Sequence, residues 1–151
     1  MKKLIKKILL EYSEEITMVY RGVRGDGLIN TTYNGSDDGM GTFWTDNLTM
    51  AKWFAGLIDY DVNTDRYEKI KNSNGKIIEK QIRFESPYII DSDDEDYDSF
   101  QQYMDEIDDF GGVESYKENL LSNGYDGIVL KNNNTNYYED GTYDIYIDLL
   151  S

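Results

Sequence analysis

Tyr20-Arg21-Gly22-Val23 and, beyond a glycine-rich stretch, Gly41-Thr42-Phe43-Trp44-Thr45 running into Leu48, Ala51, Phe54 and Ala55 are the segments on which the reading of this chain turns. The first ends a short β-like run with a guanidinium, which stays charged and meets anions with a planar two-pronged fork. The second places a hydroxyl and two aromatic rings where a strand hands over to a helix. Together they outline an anion-binding cleft. Six of the chain's 13 glycines fall between Gly22 and Gly41 among Asn and Asp, the composition of a loop able to cover a ligand.

Working outward, residues 17–23 read as a strand, preceded by Leu4, Ile5, Ile8, Leu9, Tyr12 and Ile16 at helical spacing. These predict an amphipathic helix over residues 1–16 that closes the domain and carries Lys2, Lys3, Lys6 and Lys7 on its outer face. Asp46 or Asn47 is placed to cap the helix that buries Leu48, Ala51, Phe54 and Ala55. Residues 59–74 are polar and read as a loop. Ile78, Ile82 and Phe84 then alternate with charged residues along a long strand, which Pro87, the single proline, interrupts before Tyr88-Ile89-Ile90.

Residues 91–109 are strongly acidic, with no Lys or Arg. Phe100, Tyr103, Met104 and Ile107 predict a helix in the second half of that segment, with a charged outer face. Gly111-Gly112 separates it from a helix bearing Val113, Tyr116, Leu120 and Leu121, which Asn123-Gly124 stops. Residues 126–130 read as a buried strand and 132–141 as an Asn-rich loop. In the last strand Tyr143, Ile145, Ile147 and Leu149 share one face, and Asp144, Tyr146 and Asp148 the other. Strands with interspersed helices predict an α+β fold, and 151 residues a single domain over 1–151.

Composition narrows the chemistry. Cysteine and histidine are absent, which removes thiol nucleophiles, disulfides, Ser-His-Asp catalysis and zinc sites built on Cys or His. Carboxylates, hydroxyls, Arg, Lys and Tyr are left for any catalysis. A net charge of −15, from 30 acidic and 15 basic residues, opposes direct binding to nucleic acid or to an anionic membrane surface and favours basic partners. The lysine-interrupted start reads neither as a membrane span nor as a cleaved signal, so the expected location is cytoplasmic.

In the order and spacing of these motifs the chain resembles the ADP-ribosyltransferase fold of the arginine-serine-glutamate type. Ser122-Asn123-Gly124-Tyr125-Asp126-Gly127-Ile128-Val129 adds a "GYDGI" run similar to that of the phage and mobile-element (polyvalent-protein) branch. The resemblance covers residues 18–55 and 120–149, with residues 59–119 matching loosely. It implies short-stranded mixed sheets around an NAD cleft with peripheral helices, NAD as co-substrate, and transfer of ADP-ribose to a host macromolecule, such as a nucleic-acid-binding protein in the host cytoplasm. Tyr20, Arg21 and Gly22 would then hold the NAD phosphates, with Arg24 and Lys52 adding positive charge. Phe43, Trp44 and Thr45 would flank the nicotinamide half, Trp44 lining the ring's site. Thr45 stands at the family's first motif serine, where it would orient Arg21 and the ribose. Asp46 and Asn47 replace the small hydroxyl residues that follow, and a capping role accounts for them.

The family's catalytic acid begins a late strand behind a target-recognising loop. Asp144 matches by position, as an aspartate one methylene shorter than the family's glutamate, with Glu139 and Asp140 in the preceding loop as the other candidates. Phe43 and Trp44 also fit an ordinary core, and Asp144 with Asp148 also fits a solvated sheet edge. The run Asp91 to Asp98 lacks the glycine and the twelfth-position acid of a calcium loop, and reads as a solvated linker. A noncatalytic acidic inhibitor, mimicking the charge of nucleic acid to block a basic protein surface, is the competing function.

Overall fold

The computed structural model describes residues 16–23, 39–134 and 141–151. All but Ile16 of the helix expected over 1–16 falls outside the described residues, as do Arg24, Glu139 and Asp140. Along the described residues run β1 (Thr17–Val23), β2 (Thr42–Thr45), α1 (Leu48–Phe54), β3 (Ile58–Asp61), β4 (Arg66–Lys69), β5 (Lys76–Ile82), β6 (Pro87–Asp91), α2 (Ser99–Asp109), α3 (Val113–Ser122), β7 (Gly127–Asn134) and β8 (Thr142–Asp148). Six strands form one sheet in the order β5-β1-β2-β8-β7-β6, and β3 and β4 form a separate hairpin. Only β6 and β7 pair in parallel. A parallel pair needs a long crossover, which α2 and α3 supply. The architecture is α+β, as expected.

Alternation along β7 and β8 feeds two apolar layers. Ile128, Leu130, Ile145 and Ile147 pack with Tyr103 and Ile107 of α2 and Tyr116 and Leu120 of α3. Val129 and Tyr146, which point the other way, join Val19, Trp44, Ile82 and Phe84. Tyr146 is only 8% exposed, so the face of β8 that carries Asp144 and Asp148 is not a simple solvated edge.

The second layer draws on β1 and β5 as well as on β2, β7 and β8. β1 pairs with β5 over seven residues, from Thr17↔Ile82 to Val23↔Lys76, but meets β2 at the single pair Tyr20↔Thr45. In a flat sheet β5 and β8 would stand three strand spacings apart, about 14 Å. Yet Lys80 Nζ of β5 lies 3.7 Å from Asp148 Oδ2 of β8 and 5.4 Å from the ring centre of Trp44. Side chains of β5 and β1 therefore reach those of β2 and β8 across the second face. Phe84 packs against Gly127, where a Cβ would come within 2.5 Å of the phenyl ring.

Several expectations are corrected. Residues 59–74 are not all loop: β3 and β4 pair from Ile58↔Lys69 to Asp61↔Arg66, and the cross-strand rings of Tyr60 and Tyr67 meet edge to face at 5.6 Å. In α1 the buried residues are Met50 and Ala51, while Leu48 is exposed and Phe54 half-buried. The long strand ends at Ile82, and Pro87 opens β6 rather than interrupting it. Asn132–Asn134, expected in a loop, extend β7 past a bulge between Leu130 and Asn133.

The acidic run is also no loose linker. Ser92 Oγ donates to the Tyr97 carbonyl at 2.6 Å, Ser92 N donates to Ser99 Oγ, and Asn134 Nδ2 donates to the Glu95 carbonyl at 2.7 Å. Asp98 caps α2 by accepting from Gln101 N. Its hydrogen bonds fasten the turn to β7, while Asp93, Asp94, Glu95 and Asp96 stay exposed.

Candidate functional site

The site lies where β1 parts from β2. Arg21 follows Tyr20, the one residue of β1 paired with β2, and its Nη1 donates to the Phe43 carbonyl at 3.1 Å. A continued ladder would have offered that carbonyl a backbone N–H; the guanidinium takes it instead. Arg21 is 6% exposed, and a charge so placed requires hydrogen-bond partners. Gly22 is a point of close backbone approach. A Cβ there would stand 2.2 Å from the Ala51 carbonyl and 2.6 Å from Ala55 N, so its bareness admits the backbone of α1.

Thr45 is buried, and its hydroxyl donates to the Asp144 carbonyl at 3.0 Å while accepting from Asn47 N at 3.1 Å. These bonds join β2 to the start of β8 and to the start of α1. Asn47 is the helix cap, its Oδ1 accepting from Met50 N. Asp46 is thereby left for another partner: its Oδ1 accepts from Asp144 N at 2.9 Å.

Asp144 is held from several sides. Its Oδ1 accepts from Asn132 N at 3.0 Å, and Asn132 sits in the left-handed region at φ 62°, within the β7 bulge. Asn132 Nδ2 in turn donates to Asp91 Oδ1 at 2.6 Å. Burial, then the charge of Asp144, pushes the Asp46 carboxyl above the usual carboxylate range, against the lowering effect of its bond from the Asp144 amide.

Sheet register gathers these residues. Tyr20 pairs with Thr45 and Thr45 with Ile145, so Arg21, Thr45 and Asp144 all lie in or beside one cross-strand row. The aromatic candidates are placed differently. Phe43 is in the first apolar layer, edge to face with Tyr103 at 6.3 Å, and Trp44 is in the second beneath Lys80. Both rings are core, and the Trp44 Nε1 donor is buried with no hydrogen-bond partner among the described residues. Tyr20 is half-buried, and Lys52 lies in the last turn of α1. Asp46 and Asn132 complete the site without having been expected there. The Asn132-Asn133-Asn134 run, whose residue type tolerates positive φ, was the available signal for the bulge.

Comparisons of the chain with protein-family models, with curated proteins and with solved structures find no match.

Proposed function

We propose that this protein is a mono-ADP-ribosyltransferase that uses NAD to modify a host macromolecule, as a phage or mobile-element effector. The observation that carries the reading is that Arg21, Thr45 and Asp144 lie on three adjacent strands in neighbouring cross-strand rows, with Thr45 in the middle row and bonded to the Asp144 carbonyl. Arg21 meets the pyrophosphate, for which a guanidinium fork is suited. Thr45 fixes the main chain of Asp144. The C1′–N bond of the nicotinamide riboside breaks, and its electron pair leaves with nicotinamide. A nucleophile of the acceptor then bonds to C1′ and loses its proton. The Asp144 carboxylate, held before the reaction begins, stabilises the positive charge that develops on the ribose.

Titration calorimetry with NAD and a nicotinamide-release assay test this directly. Arg21→Lys is expected to weaken NAD binding by about 1–3 kcal/mol, since lysine offers no planar fork. Unchanged affinity in a folded Arg21→Lys protein would remove Arg21 from the site.

A second reading, an acidic inhibitor of a basic protein, is favoured by one feature: the exposed carboxylates of residues 93–96 stand on a turn fastened to β7. Neutralising these four residues to Asn or Gln should slow association with a basic partner and flatten its salt dependence, because such steering is screened over about 8 Å at physiological salt. A wild-type rate and salt slope would discard this reading.

A further inference from the structure

Asp46 and Asp144 lie 98 residues apart in sequence yet meet through main chain and side chain together. The Asp46 carboxylate accepts the Asp144 amide at 2.9 Å, and Asp46 N approaches the Asp144 carbonyl at 3.4 Å, the same oxygen that Thr45 Oγ1 bonds at 3.0 Å. With Asn132 N on its Oδ1, Asp144 is fixed at its amide, its carbonyl and one carboxylate oxygen. Among the described residues no hydrogen bond is made to its Oδ2. One oxygen of a rigidly held carboxylate is thus left for an incoming group.

We propose that Asp46 is a positioning residue for Asp144: its carboxylate holds the Asp144 amide near the start of β8, and its charge adds to the field that Asp144 directs at a developing cation. The proposal rests on the transferase reading for its catalytic meaning. A neutral side chain would serve the hydrogen bond alone. Asparagine offers the same acceptor oxygen without placing a second carboxylate beside Asp144, so the charge at position 46 is unnecessary for the clamp. A charge of that kind finds its use when positive charge forms nearby.

Two variants separate clamp from charge. Asp46→Asn keeps the acceptor and loses the charge; Asp46→Ala loses both. Nicotinamide release and Asp144 amide exchange, followed by NMR, are measured on each. In Asp46→Ala, kcat is expected to fall about tenfold or more with little change in KM, and exchange at Asp144 to accelerate by a similar factor, the scale of a lost charge-assisted hydrogen bond. In Asp46→Asn exchange should stay at the wild-type rate, with kcat between the other two. Wild-type kcat in both variants overturns the proposal, and so does unchanged Asp144 exchange in Asp46→Ala. Should Asp46→Ala fail to fold, wild-type kcat in Asp46→Asn overturns the charge role by itself. A wild-type protein that releases no nicotinamide refutes the transferase reading, whereas the exchange measurement judges the clamp without NAD.

Discussion

The middle of β8 and its opening residues are built on opposite principles. Against α2 and α3, Ile145 and Ile147 enter a layer of aliphatic and aromatic side chains whose stability comes from burial and close packing. At the β1–β2 seam, Arg21, Thr45, Asp46 and Asp144 are held by directed hydrogen bonds, and two carboxylates share the space. The first arrangement accounts for itself by the stability it brings. The second sets Asp46 beside Asp144, two groups of like charge, and such contacts concentrate where a protein acts on charge.

Substitutions that affect one side and spare the other would sharpen this contrast. The largest effect on folding is expected in the apolar layer. Ile128, fully buried beneath the helices, should cost about 2–5 kcal/mol of unfolding free energy when changed to Ala, measured by denaturant titration. A loss well below 1 kcal/mol would show that the layer is not the stabilising one. At the seam the sign reverses. The folded-state pKa of Asp46 is raised, so its protonated form is favoured by folding. The resulting stabilisation is complete below the ordinary value of 3.8 and lost as pH rises through the folded-state pKa. Asp46→Asn should therefore melt higher than wild type at neutral pH, and the gap should close in acid. A variant that melts lower at neutral pH would break the comparison, placing the Asp46 charge among the stabilising features.

Much of the fold could be read along the chain where neighbours in sequence are neighbours in the element. The spacing of Tyr103 and Ile107, the alternation of Ile145, Tyr146 and Ile147, and the glycines at 111 and 112 each report local geometry. The single-pair junction of β1 with β2 could not be read this way, because it is a property of two strands brought together. The β3–β4 hairpin escaped because Ile58, Tyr60 and Tyr67 make a thin apolar pattern among charged residues. At the site, Arg21, Thr45 and Asp144 were marked by residue type and order. Asp46 and Asn132 act through contacts 98 and 12 residues away in sequence, which local pattern does not carry. Trp44 fitted both a ligand site and a core, and packing decided for the core.

The central claim is that this seam performs NAD chemistry with Asp144 as its acid. Its most direct test is to compare Asp144→Ala and Glu139→Ala with wild type in NAD binding and in nicotinamide release. If Asp144 acts as the transition state forms, its removal should lower release by about 10²–10³, the scale of a lost electrostatic stabiliser, while NAD affinity changes little. Glu139→Ala should turn over as wild type does. Normal release from Asp144→Ala with loss in Glu139→Ala would contradict the account and move the acid from β8 to Glu139.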